Sequence, residues 1–300
     1  SDGRLLIQAD GQVKLVGPQL LGRLHLDEPA PLGDNPSPAR LILPISEKPA
    51  LLAFTDAGRV ALLRWEFAGQ QPGTLEKFLP EGMNGERVVQ LLPLPSGADA
   101  EGTSVGLLSS DGRFKRLPIE DFQELSGRAA SVLKLKDGVT LQRVVLCRGG
   151  QELVVGSSTG RLLRLAVNEA NLPVMGRNAQ GAVLLRLLPG ETVVGVAGVE
   201  ADGCVMLASS SGQLKRLAVN SLRRCQRGDL GQIGVCFAQR GDQLIDLRED
   251  HSPVVAAVLS DGRSLRLDTA ELQAEDETGS GQTLGLGGNE VVAELVPLLA

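Results

Sequence analysis

Six short polar turns, each closing on a glycine and each flanked by strands of Leu and Val, recur along this 300-residue chain. The anchor glycines are Gly11, Gly58, Gly112, Gly160, Gly212 and Gly262, at intervals of 47, 54, 48, 52 and 50 residues. So even a period constrains the fold more than any local propensity, because a repeated unit of this size buries its apolar face only against the next copy. The best-matched copies are Leu107–Leu117 (LLSSDGRFKRL), Val155–Leu165 (VGSSTGRLLRL) and Leu207–Leu217 (LASSSGQLKRL). Each reads as a hairpin in which Asp, Ser or Thr fills the turn and glycine supplies a positive φ. A second turn follows in most repeats, at Asp137-Gly138, Pro189-Gly190, Arg240-Gly241 and Gly287-Gly288, and predicts a second hairpin. Four strands in about 50 residues is the size of a propeller blade. The expected fold is therefore all-β, a six-bladed propeller-like ring forming one domain over residues 1–300. Two β-sandwiches are the alternative, and sandwiches rarely show so even a period. The terminal strand Val291–Leu298 is expected to pair with the first blade and remove a free edge.

Several classes of chemistry are missing from the sequence. No apolar run approaches the roughly 18 residues that a membrane helix needs. The opening Ser1-Asp2-Gly3-Arg4 lacks the basic start and apolar stretch of a secretory signal, and reads as an interior cut of a longer cytoplasmic polypeptide. Cys147, Cys204, Cys225 and Cys236 form no C-x-x-C pair and read as free thiols. His25 and His251 are too isolated for a zinc site or a Ser-His-Asp triad, and no G-x-x-x-x-G-K-[ST] loop is present to hold ATP. A propeller hydrolase therefore has no nucleophile constellation behind it.

Charge is unevenly distributed. The net value of −6 argues against a nucleic-acid partner, but residues 201–240 carry Lys215, Arg216, Arg223, Arg224, Arg227 and Arg240 against only Asp202 and Asp229. Residues 269–300 carry Glu271, Glu275, Asp276, Glu277, Glu290 and Glu294 with no basic residue. Cations also follow the repeat: Arg116, Arg164, Arg216 and Arg266 lie four residues after an anchor glycine, and Arg59, Arg113, Arg161 and Arg263 lie just after one. Repeated around a ring, such cations would lay a discontinuous track suited to a curved polyanion. For any single arginine, a solvated strand end or a partner for Asp or Glu is the competing reading. Seven aromatic residues are too few to stack single-stranded bases, so duplex backbone is the better target.

The repeat has no Gly-His or Trp-Asp signature of a WD40 blade. Its form G-x-[VFL]-K-R-L, as in Gly112-Arg113-Phe114-Lys115-Arg116-Leu117 and Gly212-Gln213-Leu214-Lys215-Arg216-Leu217, instead resembles the blades of the gyrase A C-terminal domain. Met175-Gly176-Arg177-Asn178-Ala179-Gln180-Gly181 is similar to the inter-blade segment of that family, which includes topoisomerase IV. The resemblance covers the whole chain. It implies a β-pinwheel whose rim binds and bends duplex DNA, joined to the remainder of a topoisomerase A subunit that works with an ATPase B subunit; ATP and Mg would be used by the complete topoisomerase and not by this chain. The DNA contacts it implies are Arg113, Lys115, Arg116, Arg161, Arg164, Arg177, Lys215, Arg216, Arg223, Arg224, Arg227, Arg263 and Arg266. The family cleaves DNA with a tyrosine, and this chain contains none. The Gln-Arg-Arg-Gly-Gly-x-Gly box of gyrase proper is also missing from the first repeat, where residues 25–36 are acidic and Pro-rich. Its nearest match is Cys225-Gln226-Arg227-Gly228-Asp229-Leu230-Gly231 in the fifth repeat. These departures favour a topoisomerase IV-like protein or a divergent gyrase paralogue. A propeller that serves as a protein-interaction platform is the other reading, and the acidic last repeat suits it.

Overall fold

The six anchor glycines occupy one kind of turn in the computed structural model, which describes residues 2–298; Ser1, Leu299 and Ala300, the ends of the expected 1–300 domain, lie outside it. In each copy the glycine amide donates to the carbonyl three residues earlier, from Gly11 to Gln8 (2.9 Å) through Gly262 to Leu259 (3.0 Å). The glycine φ values run from +75° to +104°, a region that a Cβ would strain, so the residue after the turn must be glycine for the strands to leave in register.

The strands leaving each turn form the middle of a small sheet, and six such sheets follow one another as blades. Their hairpins are Arg4–Gln8 with Gln12–Val16, Leu51–Thr55 with Arg59–Leu62, Thr103–Ser109 with Arg113–Pro118, Glu152–Ser157 with Arg161–Ala166, Cys204–Ser209 with Gln213–Ala218, and Val254–Leu259 with Ser264–Asp268. Each blade adds an inner strand from its own repeat, such as Leu141–Arg148 in blade 3 or Val193–Val199 in blade 4. Its outer strand comes from the next repeat: Gly73–Thr74 completes blade 1, Ala130–Ser131 blade 2, Ala182–Val183 blade 3, Gln232–Ile233 blade 4 and Gln282–Thr283 blade 5. Helix is confined to Pro18–Leu24, Glu120–Gln123 and short 3-10 turns among the described residues.

Two details of the expected ring are corrected by this exchange. The turns at Asp137-Gly138, Pro189-Gly190, Arg240-Gly241 and Gly287-Gly288 do not close hairpins; they carry the chain from the outer strand of one blade to the inner strand of the next. Two apolar runs around a turn signal look identical in sequence whether they pair with each other or with different neighbours. Nor does the terminal strand pair with blade 1. Val292–Pro297 is the inner strand of blade 6, and the ring is closed by Ala30–Gly33 of the first repeat, which pairs with Ser264–Asp268 as the outer strand of that blade.

Because every blade is covered on both faces by its neighbours, the central strand Thr103–Ser109 and the inner strand Val193–Val199 are buried at every position. Val193–Val199 is accordingly a continuous run without polar residues, and neither strand alternates apolar with polar positions. The core is accordingly divided among the seams. One cluster joins Leu52, Phe54 and Val60 of blade 2 to Val105, Leu107 and Leu117 of blade 3; another joins Leu108 and Phe114 of blade 3 to Leu153, Val155 and Leu163 of blade 4.

Inner strands surround an axial channel of about 640 Å³. A chain of ion pairs crosses it from blade to blade. Arg143 of blade 3 donates to Asp246 of blade 5 (3.0 Å), Arg248 pairs with Asp246 (2.9 Å) and with Glu294 of blade 6 (3.5 Å), and Glu294 pairs with Arg40 of blade 1 (2.7 Å). The Asp246 carboxylate also accepts the Leu247 and Leu295 amides at 2.9 and 2.8 Å, so one buried side chain ties blades 3, 5 and 6 together.

Candidate nucleic-acid interface

Between the hairpin of one blade and the outer strand it gives to the preceding blade, the chain crosses the seam as a strap. Residues 167–181 strap seam 3/4, residues 219–231 seam 4/5 and residues 269–281 seam 5/6. The repeated cations are aimed at the backbone of these straps. Arg116 donates to the Leu172 carbonyl (2.5 Å), Arg164 to that of Leu222 (2.7 Å) and Arg216 to that of Leu272 (3.3 Å). Arg266 makes the same contact with the strap that closes the ring, through the Glu28 (2.9 Å) and His25 (3.1 Å) carbonyls. Three of the four also meet a carboxylate: Glu169 for Arg116, Glu152 for Arg164 and Asp250 for Arg216.

The neighbouring motif positions do the same work. Lys115 is fully buried, donates to the carbonyls of Gly176, Arg177 and Ala179 at 2.7–3.1 Å, and is pushed down to about 8 by burial. Lys215 is buried against the Gly234 and Gly279 carbonyls (2.8 and 2.7 Å). Just after the anchor, Arg113 holds the Gly181 carbonyl (2.9 Å) and Arg161 that of Leu230, while Gln213 substitutes for arginine on the Ser280 carbonyl (2.7 Å). Arg263 pairs instead with Asp261 and Glu290, and Arg59 with Glu86. Each strap then enters its outer strand through a glycine at positive φ. A Cβ on Gly231 would lie 2.3 Å from the Leu162 carbonyl oxygen, and one on Gly281 2.2 Å from that of Leu214.

This placement corrects the expectation of a cation track around the ring. Lys115, Arg161, Arg164, Lys215 and Arg266 are buried, and Arg113, Arg116, Arg216 and Arg263 are half-buried with their guanidinium groups on carbonyls or carboxylates. A carbonyl oxygen and a phosphate oxygen attract the same donors, and here the strap backbone takes them. Of the thirteen cations expected to touch DNA, Arg177, Arg223, Arg224 and Arg227 are exposed. All four lie on the straps of seams 3/4 and 4/5. Arg224 is held by Glu152 (2.9 Å), whereas Arg227 has no hydrogen bond or ion pair within the described residues.

The structure adds two cations that the sequence reading passed over. Lys134 and Arg186 are exposed and stand at equivalent positions, four residues past the first residue of an outer strand. Lys134 joins the first strap through its amide to the Ala179 carbonyl (3.2 Å). Arg186 borders the second, since Arg161 holds both its carbonyl (2.7 Å) and that of Leu230. In sequence Arg186 is a single charge among apolar residues and Lys134 belongs to the short run Leu133-Lys134-Leu135-Lys136-Asp137, and only the strand exchange brings each beside a strap. The next strap round the ring, residues 269–281, presents Glu271, Glu275, Asp276 and Glu277 and no basic residue.

Glu191 anchors the clamp of blade 4. Burial raises its carboxyl, but hydrogen bonds from Arg161, Thr159, Ser157 and the Leu188 amide outweigh that effect and hold it at about 2, against 4.5 for an ordinary glutamate. A carboxyl depressed on folding stabilises fully above its unfolded value, and the contribution is lost as pH falls through the folded one. Wild type is therefore expected to lose roughly 3 kcal/mol of unfolding free energy from this group between about pH 4.5 and 2. Urea midpoints across that window should fall more gently for Glu191→Gln, and equal slopes would show that the pairing does not persist in solution.

Among the described residues no helix is long and apolar enough to cross a membrane, and no group of three His, Cys, Asp or Glu side chains is placed to hold a metal. The four cysteines are unpaired, and burial pushes the Cys147 thiol up to about 12.

Comparison with known proteins places this geometry. The family described as DNA gyrase C-terminal domain, beta-propeller, matches residues 107–148, 151–200 and 205–260. The A subunit of DNA topoisomerase 4 from Synechocystis is 31% identical over 185 residues, 54% of this chain and 20% of that protein. The A subunit of DNA gyrase from Pseudomonas aeruginosa is 28% identical over 200 residues, 66% of this chain and 22% of that protein. The chain thus spans about a fifth of the length of these curated relatives. A solved DNA gyrase A C-terminal domain superposes with a TM-score of 0.75 over 99% of both chains at 14% identity. The C-terminal domain of a DNA topoisomerase IV gives 0.76 over 98% of this chain and 92% of that one at 15% identity, so the ring is shared where sequence has diverged. The family match runs through the clamp motifs of blades 3 to 5 and into blade 6, and the chain belongs to the DNA gyrase C-terminal domain, β-propeller family.

Proposed function

We propose that this chain binds duplex DNA across seams 3/4 and 4/5 of its rim and bends it, as the C-terminal domain of the A subunit of an ATP-dependent type IIA topoisomerase. The observation that carries this reading is the gathering of Arg177, Arg223, Arg224, Arg227, Lys134 and Arg186 on two adjacent seams while the other repeated cations are held on carbonyls or carboxylates of the protein. Cations on an exposed convex edge contact phosphates and fix the path of a duplex without reading its sequence. The acidic strap of seam 5/6 and the acidic segment Asp27-Glu28 at the closing seam repel the same polyanion, so the arc is short and favours a local bend over a full wrap. Strand cleavage belongs to the remainder of the parent polypeptide, ATP hydrolysis with Mg belongs to a separate ATPase B subunit, and the complete enzyme works on cytoplasmic, nucleoid DNA.

The test is a salt titration with fluorescent duplexes of unrelated sequence. Replacing Arg223, Arg224 and Arg227 together with Ala should weaken binding to all of them alike and flatten the plot of log affinity against log salt by about 2–3, at roughly 0.9 per phosphate contact. The lower end of that range applies if Glu152 keeps Arg224 away from phosphate. Unchanged affinity and slope in a folded variant would refute the reading and favour a protein-interaction platform.

A further inference from the structure

We infer that Leu230 is an apolar wedge which enters the minor groove of the duplex held on seam 4/5 and sets the position of the bend. This rests on the duplex-binding reading above and adds a residue and a groove to it.

Leu230 is 45% exposed and lies in the strap between Arg227 and the glycine that enters the outer strand; Ile233, three residues on, is 53% exposed. The equivalent residues of the neighbouring straps, Gln180 and Ser280, are polar, so an apolar side chain here is not a requirement of the fold. The backbone that presents it is pinned on every side. The Cys225 amide donates to the Arg164 carbonyl and the Gly228 amide to that of Leu184, both at 2.7 Å, Gln226 and Asp229 cap each other, and buried Arg161 holds the carbonyl of Leu230 itself. Gly231 is packed on Leu162 so closely that no side chain fits. The loop therefore cannot fold Leu230 back into the core, and its apolar surface stays in water until something covers it.

The surroundings identify the cover. Arg227 and Asp229 flank Leu230 in the strap and Arg161 joins its carbonyl to that of Arg186, while Arg223 and Arg224 stand earlier on the same strap, Arg224 paired with Glu152; this local excess of cations favours a polyanion over an apolar protein face. A polyanion that also offers an apolar slot is duplex DNA, where proteins that bend through the minor groove insert Leu, Ile, Phe or Met between base steps while arginines grip the flanking phosphates. Insertion is easiest at pyrimidine–purine steps, so the bend should centre on TA or CA/TG.

End-to-end fluorescence transfer on doubly labelled duplexes, one with and one without a central TA step, tests this with wild type, Leu230→Ser and Leu230→Met. Wild type should bend the TA duplex more. Leu230→Ser should lose that bend and the step preference while its salt slope is unchanged and affinity falls only about 3–10-fold; Leu230→Met should keep both. Substitution leaves the carbonyl held by Arg161 in place, so the variant retains its loop. Bending of the TA duplex by Leu230→Ser as strong as wild type would overturn the wedge while leaving the phosphate arc intact. Absence of salt-dependent binding by wild type would instead overturn the duplex-binding reading and the wedge with it.

Discussion

Replacing Asp246 with Ala is expected to lower unfolding free energy by about 3–5 kcal/mol, as removal of one partner of a buried ion pair does when the other charge stays behind. The side chain of Asp246 is 2% exposed, and it receives donors from Arg143 of blade 3, from Arg248 and the Leu247 amide of blade 5, and from the Leu295 amide of blade 6. Without it, Arg143 and Arg248 face each other across the channel as like charges, and two buried amides lose their acceptor. Substitution by Asn keeps the shape and some of the amide bonds, so its loss should be smaller. Urea unfolding at low and at roughly 0.5 M salt makes the measurement. Most of the deficit should persist in salt, because a largely buried pair is screened much less than an exposed one. A loss under about 1 kcal/mol for the alanine variant would mean that the channel network contributes nothing net, as some buried pairs do not.

Arg164→Met is expected to have a comparable effect by a different route, about 3 kcal/mol. Arg164 clasps Glu152 through two nitrogens at 2.6 Å each and holds the Leu222 carbonyl at 2.7 Å. Methionine fills the volume of the stem but leaves the Glu152 carboxylate, itself 4% exposed at its side chain, to Arg224 alone. Loosening should be local before it is global. Amide exchange in residues 219–231 should accelerate by at least tenfold while the amides of blade 2 stay unchanged, and affinity for duplex should fall although the lost cation is buried. Protection of that strap equal to wild type would show that Arg164 does not hold it.

The anchor turns were legible because their chemistry is local: Ser109-Ser110-Asp111-Gly112 specifies a turn whatever surrounds it, and six evenly spaced copies imply a ring. What pairs with what was not. Ala182–Val183 and Val193–Val199 flank a plausible hairpin turn, yet a two-residue outer strand carries too little pattern to reveal that it belongs to the preceding blade. Cations divided in the same way. Lys115 and Arg116 are indistinguishable in sequence from residues of a phosphate-binding strip, since nothing in a sequence states whether the oxygen they meet is a carbonyl of the same chain. Arg223, Arg224 and Arg227 were found because they lie close together along the chain, whereas Lys134 and Arg186 join the arc only through the fold.

The exchange of outer strands has a mechanical meaning. A strap is covalently continuous with one blade and only hydrogen-bonded to the one before it, through a two-residue strand and a clamp of buried arginine. Tension applied along the rim would therefore be carried by peptide bonds on one side of each seam and by a zipper of weak bonds on the other. Each seam is thus asymmetric, and the ring is expected to yield at different forces to loads applied along the rim in opposite senses.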